Sequence, residues 1–408
     1  RCYCDYCRNG FRDAMSATYT AEQLRDVFGF ATAADIRLGT KDDGLLWVET
    51  QRFWIESLHR HQVAIAAAGR AVVPDFRVFP NGGHGRPEHV KLAYPDSDYV
   101  MFEKSVGDFG TNPGMARFNV VGDIFINKYN DNIYEYKLVT ATRSHARPII
   151  LSRGGYPREE PDLKLNDAAA CLGMAEAAAY GSGGGFLIRP QYDRFGAALT
   201  LYGAFFREHA DLYAGMVPHA RVGLLCLPEQ KLMGNTDHIE MVQGLCRALS
   251  DAHVPFDMPM EEALAPEGLD RYEAVIMAGV KYLAPEQASA LGDYVRGGGR
   301  LLTIDPLPSH DLLMRPYDAA SLYVVPGAVA RGDADTILRL QGLPMRTIAD
   351  DLTTLTGAEP AVLFQRDDPA PRSIRINAWR GTAGAAHGLV YHLLNYGTPL
   401  GDNAAAPE

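Results

Sequence analysis

The sequence predicts an α/β protein built on parallel sheets, and three observations carry that reading. Four short apolar runs each end in a polar or glycine-rich loop: Phe76 to Phe79 before Pro80-Asn81-Gly82-Gly83-His84, Asp98 to Phe102 before Glu103, Pro148 to Leu151 before Ser152-Arg153-Gly154-Gly155, and Gly185 to Ile188 before Arg189-Pro190-Gln191-Tyr192. Helical stretches separate these runs, at Trp47 to Gly69, Ile133 to Arg147 and Asn166 to Gly181, and strands alternating with helices at such spacing are βαβ units. The alternation then starts afresh at His219 and continues to Ile304. In sheets of this kind the chemistry gathers at the C-terminal ends of the strands, where the βα loops converge.

Composition bounds the rest. With 408 residues and roughly 100 to 200 residues per domain, two to four domains are expected. The chain is 47% hydrophobic and 22% charged, and no apolar run approaches about 18 residues, so neither a membrane span nor a secretory signal is expected. The net charge of -11 comes from 50 acidic and 39 basic residues without a cluster of Lys and Arg. That argues against nucleic acid or an anionic membrane as partner and for a neutral or small polar substrate. Of six cysteines, Cys2, Cys4 and Cys7 are bunched, while Cys171, Cys226 and Cys246 stand singly in apolar contexts. This is not the pattern of a disulfide scaffold, and it points to a reducing, cytoplasmic compartment. The chain opens on Arg1 beside the thiols and stops at Glu408 without a closing element, so it reads as an internal fragment truncated at its N-terminus.

Taken in order, Cys2, Cys4 and Cys7 have a C-x-C-x-x-C spacing that lets three thiolates reach one tetrahedral Zn²⁺ at about 2.3 Å. His59, His61 or an upstream cysteine would supply the fourth ligand, and three reduced surface thiols are the alternative. An all-thiolate site is structural rather than catalytic. Arg8 to Phe28 is expected as one helix and Leu46 to Gly69 as a second, ended by Gly69, with Trp47, Phe53, Trp54, Ile55 and Leu58 as its core stripe. Asn81 and His84 follow the first strand among glycines that let the backbone approach a ligand. Both are candidate substrate contacts.

Glu103 is the candidate catalytic carboxylate, because an apolar strand that ends in an acid delivers it rigidly to the strand tip; an ion pair with Lys104 or Arg153 is the competing role. The stretch from Lys104 to Asn132 has the length of a substrate-contacting excursion. Ile133 to Arg147 is expected as an amphipathic helix. Arg153 and Tyr156 after the next strand, and Arg189 after the one following, complete the substrate-binding candidates, with Glu159 and Glu160 nearby. An alanine-rich helix over Asn166 to Tyr180 and a closing helix over Leu199 to Tyr213 end the first unit. The second unit reads strand (His219 to Leu227), helix (Asp237 to Ala252), strand (Tyr272 to Ala278), helix (Ala284 to Arg296) and strand (Arg300 to Ile304), a second doubly wound sheet. From about Leu322 short strands dominate, at Ala361 to Phe364, Ile374 to Trp379 and Gly388 to Leu394.

On these residues the chain resembles the family-42 glycoside hydrolases, β-galactosidases and their barrel-hydrolase relatives. That family carries a C-x-C-x-x-C zinc cluster just after the fourth strand of a (β/α)₈ barrel, with four strands still to come, as here. The resemblance implies the C-terminal half of a (β/α)₈ barrel, strands five to eight, over residues 1–215. It implies a flavodoxin-like, amidotransferase-related trimerisation domain over 216–315, carried by Ala274-Val275-Ile276-Met277, Leu283 to Gln287 and Asp293 to Leu302. A linker and small β-rich domain over 316–408 would include Val390 to Tyr396. It further implies a hydrolase of a β-linked carbohydrate, a galactoside foremost, with structural zinc and a homo-oligomeric, trimeric assembly. Met277-Ala278-Gly279-Val280 lacks the elbow cysteine of an active amidotransferase, so that domain is expected to be structural. Retaining glycosidases need two carboxylates about 5 to 5.5 Å apart. The family's acid/base would fall just before Arg1, and Leu151-Ser152-Arg153 stands where the strand-seven Glu nucleophile is expected. Glu103, or Glu159 and Glu160 folding back, is left to carry a carboxylate role. The alternative function is a catalytically inactive carbohydrate-binding or regulatory barrel.

Overall fold

The computed structural model describes residues 2–81, 86–104, 132–142, 147–152, 167–181, 185–188, 196–251, 253–304, 306–324, 329–332 and 374–396. The expected single N-terminal helix is two, α1 (Asp5–Thr18) and α2 (Ala21–Phe28). Thr20 divides them: its hydroxyl accepts from the Gln23 N–H at 3.1 Å while the Gln23 side chain accepts from the Thr20 N–H at 2.9 Å, a reciprocal cap that starts a new helix. Helix α3 (Leu45–Val72) runs through Gly69 rather than ending there. A Cβ at Gly69 would lie 2.3 Å from the Phe76 ring, so glycine is there to let the returning chain press against the helix. A short helix that the sequence did not signal, α4 (Pro87–Ala93), begins with proline, whose missing N–H costs nothing in a first turn.

Next come β1 (Tyr99–Lys104), α5 (Ile133–Ala141), β2 (Arg147–Ser152), α6 (Asp167–Tyr180), β3 (Gly185–Ile188) and α7 (Gly196–Glu208). Strands β1, β2 and β3 pair in parallel and in chain order. Residues 78–81 extend the sheet on the free side of β1, with Asp98 N donating to Val78 O at 3.1 Å, Met101 N to Pro80 O at 3.2 Å, and a parallel bridge from Asn81 to Met101. The strand expected at Phe76 to Phe79 is therefore one bridge at Asn81 and not a full strand. Val100 and Phe102 pack with Ile133, Leu138 and Val139 of the helix layer. Helix α5 is not amphipathic: every residue from Ile133 to Val139 is buried, Glu135 and Lys137 included, because α4, α6, α9 and β2 all contact it.

A second sheet joins β5 (Val222–Leu224), β6 (Phe256–Asp257), β7 (Ala274–Ala278), β8 (Arg300–Ile304) and β9 (Val329–Gly332), all parallel, in the order β6-β5-β7-β8-β9. Numbered along the chain this is 2-1-3-4-5, the flavodoxin-like order. Its helices include α8 (Pro228–Leu232), α9 (Asp237–Asp251), α10 (Pro285–Arg296) and α11 (Ala320–Tyr323). The single strand expected over His219 to Leu227 shortens to β5, and the residues before it, β4 (Met216–Pro218), belong to a third sheet. That sheet is antiparallel, ordered β11-β10-β4, with β10 (Ile374–Gly381) and β11 (Leu389–Asn395). It is clamped to the end of α6: Asn377 Nδ2 and Trp379 Nε1 donate to Ala179 O at 2.8 and 2.6 Å, and the Tyr396 hydroxyl donates to Glu176 at 2.6 Å. The strand expected at Ala361 to Phe364 lies outside the described residues. Among the described residues no helix is long and apolar enough to cross a membrane.

Candidate active site and thiol cluster

Strand register brings the ends of the first sheet level. Glu103 pairs with Leu151, Lys104 with Ser152, and Ser152 with Ile188. Val100 and Phe102 of β1 press against the helices, while Tyr99 and Met101 alternate with them and are only partly buried. Asn81, exposed, bridges Met101 at the same edge. The structure thus brings Asn81 and Glu103 to adjacent segments. His84, Arg153, Tyr156 and Arg189, with Glu159 and Glu160, lie outside the described residues.

The opposite, N-terminal end of β1 is fixed by Asp98, which sequence reasoning treated only as the start of a strand. Its Oδ2 accepts from Val78 N at 2.7 Å and from Arg70 at 3.2 Å, and its Oδ1 from Arg77 at 3.0 Å. Burial pushes the carboxyl pKa up, but the Val78 amide and the two guanidiniums outweigh it and hold Asp98 below the ordinary range.

The second sheet has an edge of the same kind, and ligands of doubly wound sheets bind there, at the switch point between β5 and β7. Here the protein's own side chains occupy it. His238, fully buried, accepts from Leu227 N at 2.8 Å through Nε2 and donates to Ala278 O at 2.7 Å through Nδ1, so one ring ties the ends of β5 and β7 together. Burial lowers its pKa to about 4, which keeps the ring neutral as those two bonds require. Gln230 accepts through Oε1 from Lys281 N, Tyr282 N and Asn235 Nδ2, and Asn235 donates on to Gly279 O at 2.8 Å. Gly279 has φ 63°, and a Cβ there would meet Met241 Sδ at 2.5 Å, so no larger residue fits. Cys226, at the end of β5, is buried and its thiol pKa is driven far upward by desolvation, the reverse of an activated nucleophile. The same edge is bolted to the first unit by ion pairs of Arg52 with Glu229 and of Lys91 with Glu261 and, at 2.8 Å, Glu262, with Lys231 3.5 Å from Glu88.

At the other extreme of exposure, Cys2, Cys4 and Cys7 gather at the start of α1 with their sulfurs all within 4.8 Å of one another. The Cys2 and Cys4 sulfurs are 3.2 Å apart. The Cys7 backbone amide, then the Cys2 thiol, lowers the Cys4 pKa to about 7, while the Cys2 thiol and burial raise that of Cys7 to about 11. Three converging sulfurs, one of them readily ionised, suit a thiophilic cation. Among the described residues no further His, Cys, Asp or Glu joins the group. His59, one of the expected fourth ligands, instead stands 3.3 Å from Asp96. Tyr3 packs edge-on against Trp54 at 5.4 Å and holds the segment to α3.

No family model and no curated protein matches the sequence. Solved structures do match, and the chain is structurally similar to GH42 β-galactosidases over most of its length at low identity. A polyextremophilic β-galactosidase from the Antarctic haloarchaeon Halorubrum lacusprofundi aligns with a TM-score of 0.67 at 15% identity, covering 97% of this chain and 76% of that one. A cold-adapted β-galactosidase from Rahnella sp. R3 aligns with a TM-score of 0.60 at 15% identity, covering 78% and 51%. A GH42 exo-carrageenase from Bacteroides ovatus aligns with a TM-score of 0.59 at 9% identity, covering 96% and 62%. The chain spans about half the length of the β-galactosidases first matched.

Proposed function

We propose that this chain is part of a glycoside hydrolase that cleaves a β-linked sugar, a galactoside foremost, and that Glu103 is one of its catalytic carboxylates. The observation that carries the reading is the position of Glu103 in the sequence of β1: next to last on a strand with parallel neighbours on both sides, at the strand edge where such folds assemble active sites. The likeness to GH42 structures over most of the chain supports the reaction class. A carboxylate there would act as acid, base or nucleophile at the glycosidic bond. Asn81, His84, Arg153, Tyr156 and Arg189 are the residues we assign to sugar hydroxyls. We further read 1–215 as the barrel portion, 216–315 as an associating unit that builds a trimer, and 316–408 as a linker and small β-rich domain, in a cytoplasmic protein.

Cys2, Cys4 and Cys7 would hold zinc. When bound it cross-links the start of α1 and takes no part in hydrolysis. Purified protein should then contain one zinc per chain by elemental analysis, and Cys4→Ser should lose it; zinc-free protein, or unchanged metal in the variant, contradicts this.

The test of function is release of nitrophenol from nitrophenyl β-D-galactoside, and from a panel of other nitrophenyl glycosides, by the full-length protein. Turnover supports the proposal. Binding of the sugars without turnover selects the second reading, an inactive carbohydrate-binding or regulatory barrel, which Leu151-Ser152-Arg153 at the expected nucleophile position favours.

A further inference from the structure

The three thiols at the start of α1 are held in different ways. Cys7 lies inside the first turn of the helix and packs against the core cluster that includes Phe11, Met15 and Phe53. Cys4 is the N-cap, with extended backbone and its carbonyl accepting from Arg8 N at 2.9 Å. Cys2 lies ahead of the helix altogether. Cys2 and Cys4 are exposed, Cys7 is half-buried, and Cys171, Cys226 and Cys246 are buried. A solute therefore meets Cys2 and Cys4 first.

The open pair is also a close pair. The Cys2 thiol donates to the Cys4 sulfur at 3.2 Å. Two sulfurs of a tetrahedral zinc site, each about 2.3 Å from the metal, stand about 3.8 Å apart, and a disulfide brings them to about 2.05 Å. The pair lies between these two arrangements. Because Cys2 is outside α1, closing the gap leaves the helix in place, whereas joining Cys7 to either sulfur would draw it from its packing. An accessible thiol beside a second thiol that can resolve it is the arrangement of redox-sensing cysteines, and disulfides formed in reducing compartments are usually transient ones of this kind.

We propose that Cys2 and Cys4 are a redox switch: a peroxide closes them into a reversible disulfide and leaves Cys7 a thiol. The ionised Cys4 sulfur attacks the peroxide, an S–O bond forms as the O–O bond breaks, and the departing hydroxide takes up a proton as water. The Cys2 sulfur then attacks the Cys4 sulfenic acid; the S–S bond forms, the S–O bond breaks, and the oxygen leaves with the Cys2 proton as a second water. Two thiols lose two electrons and one peroxide becomes two waters. The step itself needs no metal. Its consequence rests on the zinc reading above: a disulfide sulfur is not a thiolate, so oxidation cuts the cluster from three donors to one.

The test is to treat the full-length protein with hydrogen peroxide, denature it in N-ethylmaleimide and digest it with trypsin. Arg1 and Arg8 bracket all three thiols in one peptide, residues 2–8. After peroxide that peptide should carry one label, located on Cys7 by fragmentation, and after dithiothreitol it should carry three. Cys7→Ser should form the same link to the same extent. Three labels after peroxide, a label on Cys2 or Cys4 in place of Cys7, oxidation that dithiothreitol does not reverse, or loss of the link in Cys7→Ser would overturn the proposal. The zinc content of the untreated protein decides the metal reading separately, so the two can fail independently.

Discussion

Among the described residues there are two parallel sheets, and their strand ends can be compared. At the edge of the first, an acid stands next to last on a strand with neighbours on both sides. At the edge of the second, the switch point is closed by His238, Gln230 and Asn235, which bind the backbone groups that a ligand would otherwise meet. Architecture alone would nominate both edges as sites. Side-chain chemistry marks the second as a joint, because its polar groups bond one another and the backbone; the first is the edge we propose for function.

Three experiments would break or sharpen this contrast, beginning with the largest effect. His238→Ala strips partners from the buried Leu227 N–H and Ala278 C=O, each loss costing about 1 to 3 kcal/mol, so a drop of about 3 kcal/mol in unfolding free energy is expected in urea titration. The same histidine sets a pH dependence. Its folded pKa, about 4, lies below the value near 6.5 of an unfolded chain, so its contribution is complete above about pH 6.5 and drains away as pH falls toward 4. His238→Gln, which keeps one donor and one acceptor, should flatten that slope. An unaltered slope would mean that another group causes it.

Arg52→Met comes next. It leaves Glu49 and Glu229 unmatched between α3 and α8, and because the arginine side chain is 26% exposed the expected cost is about 2 kcal/mol, below the range for fully buried pairs. If the two units then melt in separate calorimetric transitions, these ion pairs couple them. A single unshifted transition would show that they do not.

Asp98→Asn should have the smallest effect, about 1 kcal/mol at neutral pH, since the Val78 bond can survive on the amide oxygen. The sign of the pH term is the reverse of that for His238. The folded pKa of Asp98 is depressed, so its contribution is present above the unfolded value near 3.9 and is lost as pH falls below about 4. The variant should show a shallower loss of stability in that acid window.

Where the sequence was readable, the signals were local. Gly185–Ile188 and Arg300–Ile304 have the expected bounds, because each is an apolar run that begins directly after a glycine-rich turn. The strand expected from Asp98 into Glu103 is present as β1, Tyr99–Lys104. Most of the misreadings come from tertiary context; the division of α1 from α2 is an exception, set by the local cap of Thr20 and Gln23. Gly69 looked like a helix terminator, yet its role is contact with Phe76. The stretch from Ile133 looked like an amphipathic helix, yet the packing around α5 buries Glu135 and Lys137 as well. Strands β6 and β9 have only two and four residues, too few for any periodicity, and are set by neighbours already in the sheet. His238 and Gln230 carry no motif; they meet the strand ends only through the packing of α8 and α9 on the sheet.

The contrast between the edges is tested most directly at Glu103. In full-length protein with measurable glycosidase activity, Glu103→Gln should lower kcat at least about a hundredfold, as loss of a group acting on protons in the transition state does, while the melting temperature stays within a few degrees of the parent. Near-normal turnover, or a fall in melting temperature large enough to account for the lost activity, would make Glu103 part of the scaffold and contradict the division of labour between the two edges.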